Sequence, residues 1–354
     1  MSKLFLPLKI REVEFKNRLA VSPMCQYSAQ DGLANDWHFV HLGSRAVGGA
    51  ALVMTEAVAV SPEGRISPGD LGLWNEEQAQ ALKRITDFIK ANGAVPGIQI
   101  AHAGHKASTR PPFEGRGYIE EKDGGWVPLA AGRKELQTGG PYSKELTLAQ
   151  IEELIQNHKR TAQLALKAGF EVFEIHAAHG YLLNGFLSPL VNSRTDQYGG
   201  SFENRIRLLL EIVREVRGII GEKFPLFVRI SATDWVEGAW TIKESVALAK
   251  VLKQEGVDLI DCSTGGLVQP SAIPVKPNYQ VVFAEEIKKE TGIRTAAVGL
   301  ITEAKQADEI IENQQADLIF MAREFLRDPY FPLHAASILG EEITWPKQYE
   351  RAKP

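Results

Sequence analysis

The chain has 354 residues, of which 44% are hydrophobic and 24% are charged, and its formal net charge is −4. This size and composition predict a globular protein with one large core or two ordinary cores, and they do not indicate disorder. The net charge is small and negative, and the sequence has no block of lysine and arginine. We therefore expect neither a nucleic acid partner nor an anionic membrane surface. A small-molecule substrate is the expected partner.

Neither targeting signals nor cysteines point to a more specific function. The chain has no run of about 18 apolar residues that would predict a membrane-spanning helix. Its N-terminus, MSKLFLPLKIREVEFKNR, resembles neither a signal peptide nor a transit peptide. We therefore expect a cytoplasmic protein. Cys25 and Cys262 both lie in apolar, strand-like runs, and two cysteines are too few for a disulfide framework or a cysteine-rich metal site.

Short apolar runs of strand length recur along the chain, separated by longer amphipathic segments. We predict eight strands, at residues 18–24, 50–57, 95–102, 170–176, 225–231, 259–265, 294–300 and 316–323. Helical periodicity between them is clearest at residues 147–168, 203–220, 242–255, 280–291 and 303–314. This alternation is typical of βα units around a parallel sheet. Eight such units most simply close as a (β/α)8 TIM barrel, so the predicted fold class is α/β.

Local signals refine this fold. Three helix starts carry the side chains of an N-cap or capping box, namely Thr147 with Gln150, Ser201 with Asn204, and Thr241 with Glu244. An open, doubly wound sheet is the alternative, but it would ordinarily bring a GxGxxG or GxxxxGK[ST] phosphate loop, and the sequence has neither. The chain is also longer than the usual barrel of about 250 residues.

The additional length has two predicted locations. Residues 108–146 are rich in glycine, proline and charge, which favours one long excursion after the third strand that overhangs the site. Residues 341–354 form a C-terminal tail with Trp345 and Tyr349, aromatic side chains that a terminal segment would normally bury. We treat residues 1–354 as a single domain and expect the tail at a subunit interface.

The active site of a TIM barrel forms where the strands end, so the residues at those ends are candidates for one ring. The ring contains Pro23, Met24, Cys25, Glu56, Ala57, Gln99, His102, His176, His179, Arg229, Gly265, Gly299 and Arg323. Arg229 interrupts an apolar strand, and a buried guanidinium requires an anion or another acceptor. The structural alternative is an ion pair with an inward-facing Glu174 or Glu56.

Two other positions suggest a cofactor. Gln99 presents both a donor and an acceptor, which suits the edge of a heterocycle, although a core glutamine bonded to the backbone has the same pattern. Gly299 and Arg323 finish the seventh and eighth strands, where barrels commonly bind phosphate. A phosphorylated cofactor or substrate is therefore expected.

His176 and His179 admit three interpretations. Two imidazoles three residues apart can converge on a metal, but the motif has no acidic third ligand nearby. They can instead hold a carbonyl oxygen and stabilise negative charge on it, with Tyr181 close enough to donate a proton. In the structural alternative, both histidines are simply satisfied at a strand end.

Four longer motifs contain these residues. They are NRLAVSPMCQYSAQDGLANDWHFVHLGSRAVGGAALVMTEAVAVSPEGR, IQIAHAGHKAS, HAAHGYLLNGFLSP and NSRTDQYGGSFENR. On these motifs the chain resembles the old yellow enzyme family of FMN-dependent ene-reductases, and most closely its thermophilic-like bacterial subclass. The resemblance covers essentially the whole length. It implies a ping-pong reaction in which NADPH or NADH reduces FMN, and FMN then reduces the C=C bond of an alkene activated by a carbonyl or nitro group.

The resemblance also implies roles for individual residues. Those around the flavin ring are Pro23, Met24, Cys25, Ala57, Gln99 and Arg229, and those at its phosphate are Gly299, Ala322 and Arg323. Those at the substrate are His176, His179, Tyr181 as proton donor, Tyr27, and Arg351 reaching in from a partner in a homodimer or a tetramer of dimers. Lys106 is implied near the flavin. The chain departs from the family at Ala322, where glycine is usual, and at His105, where arginine is common.

Two other function classes remain open from the sequence. Another FMN-barrel dehydrogenase would share the cofactor but use a different substrate. A flavin-free barrel lyase or a metal-dependent hydrolase would be colourless. The visible spectrum of the purified protein distinguishes the flavin enzymes from the others.

Overall fold

The computed structural model describes residues 2–115, 117–136, 141–268 and 273–354. Eight strands form a closed barrel, as the sequence predicts. In chain order the barrel strands are Leu19–Val21, Leu52–Ala59, Val95–Ala101, Val172–Ala177, Leu226–Ser231, Leu259–Ser263, Arg294–Ala297 and Leu318–Met321. Each strand pairs in parallel with the next along the chain, and the eighth closes on the first through the pair Ile319 and Leu19. The barrel is therefore of the (β/α)8 type.

Helices of the described residues surround the barrel. Their bounds are Asp36–Val47, Glu76–Ala91, Leu148–Lys167, Leu182–Leu187, Phe202–Ile220, Ile242–Gln254, Val281–Thr291, Ala304–Glu312, Arg323–Arg327 and Phe331–Leu339. The capping boxes predicted at Thr147 and Thr241 are confirmed. Ser201 also caps its helix, because its side chain accepts a hydrogen bond from the backbone N–H of Asn204. None of the helices in the described ranges combines the length and hydropathy that a membrane span needs.

Several predicted strands extend past the observed ones at their C-terminal ends. The first strand ends at Val21 and the seventh at Ala297, so Pro23 to Cys25 and Gly299 lie in the loops that follow. Apolar residues continue into these loops because the loops themselves are partly buried. Cys25 is consequently half-buried in a loop rather than part of a strand, whereas Cys262 lies buried within the sixth strand.

The barrel interior is apolar at one end and polar at the other. A hairpin of Leu8–Ile10 and Val13–Phe15 joins the starts of the barrel strands in one hydrophobic cluster. Phe15 and Phe320 in that cluster are fully buried. Further along the same strands the interior holds Gln99 and Arg229, which are also buried. The hydrophobic cluster therefore fills the N-terminal end of the barrel, and the polar groups are confined to the end where active sites form.

The segment 108–146 leaves the barrel after the third strand. Its described part contains two short 3-10 turns and a pairing of Leu129–Ala130 with Lys144–Glu145. Trp126 anchors it, because the indole N–H donates to the carbonyl oxygen of Glu63 at 2.8 Å. Phe113 reaches Tyr27, with ring centroids 6.1 Å apart. The segment thus contacts the loop that follows the first strand.

The C-terminal tail lies at the other end of the barrel. Residues 343–348 line a cavity of about 500 Å³ together with Asn17, Gly49 and Gly93, each of which lies two or three residues before a barrel strand. The tail then turns as a 3-10 helix, Lys347–Ala352, in which Arg351 is exposed. Within one chain, the tail is therefore placed away from the strand ends that carry the candidate site.

Candidate active site

The end of the fourth barrel strand brings three predicted site residues together. The ring centroids of His176 and His179 are 5.3 Å apart, and those of His176 and Tyr181 are 4.9 Å apart, all in edge-on arrangements. His176 belongs to the strand, whereas His179 follows it with a positive φ of 60°. This left-handed conformation turns the chain sharply, so both rings face the same opening.

His179 is held in this strained conformation from three sides. The Lys106 ammonium donates to the His179 carbonyl oxygen at 2.6 Å and also to the carbonyl oxygen of Gly266. The His179 N–H donates to Ser231 Oγ at 2.9 Å, and its Nε2 lies 2.6 Å from Ser263 Oγ. A Cβ at Gly266 would lie 2.7 Å from His179 Cα, so only glycine permits this approach. The imidazole is therefore fixed before any ligand binds.

The protonation states of the three side chains follow from burial. Burial lowers the pKa of His176 and His179 well below the ordinary range, and the nearby Arg229 lowers both further. Burial likewise raises the pKa of the Tyr181 phenol. At neutral pH the cluster thus contains two neutral imidazoles and a protonated phenol, all with hydrogens to donate. His176 Nδ1 is buried and has no hydrogen-bond partner among the described residues, which leaves it available to a ligand.

Inside the barrel, Gln99 and Arg229 both contact carboxyl groups. Gln99 Nε2 donates to Glu174 Oε1 at 2.7 Å. Arg229 Nε lies 3.0 Å from Asp261 Oδ2. Arg229 therefore does form an ion pair, but its partner is Asp261, and the predicted partners Glu174 and Glu56 are wrong. The parallel register places Arg229 directly opposite Asp261 of the sixth strand.

Glu56, in the second barrel strand, instead contacts the loop after the first strand. Its carboxylate accepts from the backbone N–H of Gln26 at 3.1 Å and lies 3.2 Å from His38 Nε2. Burial raises the pKa of Glu56, and the His38 contact opposes that rise. These contacts fix the loop that carries Pro23, Met24, Cys25 and Tyr27.

The side chains expected against a flavin ring lie around this loop and the second strand. Pro23, Met24 and Cys25 are half-buried, and Ala57 is buried beside Gln99 in register. Burial raises the pKa of the Cys25 thiol well above its usual value, with Asp70 and Glu56 adding to the shift, so it is uncharged at neutral pH. Small and uncharged groups of this kind suit contact with a planar aromatic ring.

The seventh and eighth strand ends form a separate cavity of about 230 Å³. It is lined by Gly299, Ala322, Arg323, Arg327 and Tyr279, among others. Gly299 has a φ of 121°, and a Cβ there would lie 2.7 Å from Gln280 Nε2, so the backbone shape requires glycine. Arg327 is paired with Glu324, which also lines the cavity. Arg323 and the exposed backbone fit a phosphate group. The residues present here and around Gln99 and Arg229 therefore fit FMN.

Three groups were missed by sequence reasoning, and one predicted residue is not brought to the site. Asp261, Ser231 and Ser263 contact the predicted residues directly. A signal for Asp261 was present, because it interrupts the apolar run LIDCS just as Arg229 interrupts its own strand. Arg351 lies with the tail, away from this chain's own site. No group of three or more His, Cys, Asp and Glu side chains in the described ranges is arranged to hold a metal ion.

The chain is similar to known oxidoreductases over most of its length. Residues 3–342 match the model of the NADH:flavin oxidoreductase / NADH oxidase family. An NADPH dehydrogenase of Listeria monocytogenes serotype 4a is 48% identical over 354 residues, with 99% of each chain covered. Morphinone reductase superposes with a TM-score of 0.79 at 25% identity, covering 98% of this chain and 92% of that one. The old yellow enzyme homologue of Zymomonas mobilis gives a TM-score of 0.77 at 25% identity, covering 99% and 98%.

Proposed function

Because the chain belongs to the NADH:flavin oxidoreductase / NADH oxidase family and is an FMN-dependent oxidoreductase, we propose that its substrates are alkenes conjugated to a carbonyl or nitro group. NADPH or NADH supplies the hydride, and the product is the saturated compound. The observation that carries this proposal is the pair of buried, neutral imidazoles of His176 and His179, 5.3 Å apart and beside the Tyr181 ring. Such a pair suits an oxygen atom that becomes negatively charged during the reaction.

The chain's contribution to the cofactor is binding and orientation. FMN, when bound, supplies the hydride transfer between NAD(P)H and the alkene. Gln99 and Arg229 would contact the polar edge of its ring. The residues that would pack against the ring are Pro23, Met24, Cys25 and Ala57, and those that would hold the phosphate are Gly299, Ala322 and Arg323.

The histidines act on the substrate's activating oxygen. Hydride addition at the β-carbon shifts electron density onto that oxygen, so the hydrogen bonds donated to it become stronger as the reaction proceeds. Since the pKa of each imidazole is lowered well below the ordinary range, each can donate one N–H without the cost of burying a cation. Ser231 holds the His179 backbone N–H and Ser263 contacts the ring at Nε2, which limits the reorganisation needed when substrate binds.

Tyr181 is the proposed proton donor to the α-carbon. Its raised pKa keeps the phenol protonated at neutral pH, and it lies beside His176 on the same opening. Tyr27 is a second substrate-facing phenol in this proposal. Its contact with Phe113 supports a role for the segment 108–146 as a cover over the site.

We further propose that Arg351 completes the site of a second subunit in a homodimer or in a tetramer of dimers. The residue is exposed and lies away from its own chain's site. A guanidinium on such a surface is free to reach an oxygen or an anionic group on a neighbouring copy. The tail 341–354 would then lie at the subunit interface.

The proposed reaction is tested with the purified protein under anaerobic conditions. A flavin spectrum should be bleached by NADPH and restored by 2-cyclohexenone, with cyclohexanone as the product. A flavin spectrum with bleaching but no restoration by cyclohexenone, maleimide or nitroalkenes would point to a different FMN-barrel dehydrogenase. A colourless protein that does not bind added FMN would contradict the cofactor placement itself.

A further inference from the structure

We infer that Glu174 and Asp261 are positioning residues of the flavin site, and that they share a single proton that fixes the charge beneath the ring. This inference rests on the proposed placement of FMN over Gln99 and Arg229. Neither carboxyl is among the residues assigned above to cofactor or substrate. Each contacts one of the two side chains assigned to the ring's polar edge, at 2.7 Å from Gln99 to Glu174 and 3.0 Å from Arg229 to Asp261.

The barrel register fixes these contacts. Gln99 of the third strand lies opposite Glu174 of the fourth, and Arg229 of the fifth lies opposite Asp261 of the sixth. All four side chains are buried in the polar half of the barrel, and both carboxyl groups have no solvent exposure. Because the strands cannot move independently in a closed barrel, the carboxyl groups determine where the amide and the guanidinium point.

The four side chains Gln99, Arg229, Glu174 and Asp261 are neutral together only if one carboxyl group carries a proton. Two carboxylates and one guanidinium would leave a net negative charge in the barrel interior, and an uncompensated buried charge costs several kcal/mol. Glu174 Oε2 and both Asp261 oxygens have no hydrogen-bond partner among the described residues, so the bond from Gln99 to Glu174 Oε1 is the one hydrogen bond there that offsets this charge. One proton on the carboxyl pair makes the group neutral.

Glu174 is the carboxyl that holds the proton. Burial and the neighbouring Asp261 raise the pKa of Glu174 to about 8, while Arg229 and the Gln99 hydrogen bond oppose the rise. Burial also raises the pKa of Asp261, but Arg229 at 3.0 Å favours its ionised form. A protonated Glu174 keeps its carbonyl oxygen as an acceptor for Gln99. Asp261 then balances the charge of Arg229.

The charge balance predicts different responses of the bound cofactor in two variants. Asp261→Asn combined with Glu174→Gln leaves the positive charge of Arg229 unbalanced, because neither substituted side chain can ionise, and positive charge favours the cofactor that has gained electrons. We expect the preference for reduced over oxidised FMN to rise about tenfold, which is about 30 mV for a two-electron couple. Glu174→Gln is a neutral isostere of the protonated acid, so the potential should match wild type at pH 6.5.

The pH dependence separates Glu174 from a merely structural residue. In the wild type, loss of the Glu174 proton near pH 8 adds negative charge below the ring, so the potential should fall more steeply there. Glu174→Gln should lack this additional fall. Glu171→Gln is the matched control, because this carboxyl directly precedes the same strand but is only half-buried, and it should behave as wild type at every pH.

An infrared measurement tests the proton itself on the full chain, with or without FMN. The difference spectrum of wild type minus Glu174→Gln should contain the carbonyl band of a protonated carboxyl at pH 6.5, and this band should disappear as pH rises through about 8. Absence of the band at pH 6.5 would overturn the inference, as would an unchanged potential in the double variant Asp261→Asn with Glu174→Gln. If this double variant does not fold, the infrared result decides alone. A protein that shows the band but binds no FMN would refute the proposed function and leave the shared proton standing.

Discussion

Removing both imidazoles tests whether His176 and His179 hold the substrate oxygen. The change is the double substitution His176→Ala and His179→Ala. A phenolate such as that of p-hydroxybenzaldehyde resembles the oxygen of the proposed enolate, and it should give a broad charge-transfer band with bound FMN. In the double variant, FMN should remain bound, because neither imidazole is placed on the ring or the phosphate. Phenolate affinity should fall.

The expected loss follows from the two hydrogen bonds. A hydrogen bond to a charged partner contributes about 1.5–3 kcal/mol. Two bonds at the lower end of this range give about 3 kcal/mol, which corresponds to a decrease in affinity of about 150-fold. Because the imidazoles are neutral and buried, no loss of net charge contributes to this figure. Reduction of cyclohexenone should slow by at least a similar factor, since charge on the oxygen increases in the transition state.

The assay is a titration of the FMN-loaded protein, followed by the long-wavelength band. His179→Asn keeps an N–H donor and should recover part of the affinity. His334→Ala is the control, because His334 is on the surface and bonds to Asp328, and it should leave the titration unchanged. A double variant that keeps the FMN spectrum and binds phenolate within threefold of wild type would refute the proposed role of the imidazoles.

Three further predictions concern other parts of the site. Cys25→Ser should retain FMN but shift its potential and the balance of the two half-reaction rates; identical stopped-flow traces would make Cys25 a core residue only. The unfolded chain binds more protons than the native chain between the lowered pKa of His176 and His179 and the ordinary value of 6.5, so unfolding free energy should decrease as pH falls below 6.5. This slope, measured by denaturant titration, should be shallower in the double histidine variant, and an equal slope would contradict the burial argument. Deleting residues 345–354 should weaken subunit association and raise KM, while Arg351→Ala should raise KM with little effect on assembly; a fully active monomer in light scattering would exclude the shared site.

Much of the fold followed from local patterns. The eight apolar runs and the capping residues Thr147 and Thr241 depend only on nearby sequence, and the structure confirms them. The family was also evident from contiguous motifs, and the comparisons confirm it. His176, His179 and Tyr181 were expected together because they lie within one short segment after one strand, where the chain itself limits their separation.

Contacts between strands could not be assigned in the same way. The partner of Arg229 is Asp261 rather than Glu174 or Glu56, and Glu56 instead contacts His38 and Gln26. All three carboxyls occur in apolar runs, so composition does not distinguish them. Register between neighbouring strands decides which one faces the guanidinium.

By itself, the sequence determined the order of the strands and which residues lie at or just past their C-terminal ends, and therefore which chemical groups gather at one end of the barrel. Only the tertiary structure decided how those groups pair, how His179 is clamped by Lys106, and where the tail that carries Arg351 lies. The physical reason is that periodicity and capping are short-range properties of the chain. Pairing depends on the closure of the barrel, which brings together side chains from strands that are distant in sequence and leaves each buried charge with the partner that its register provides.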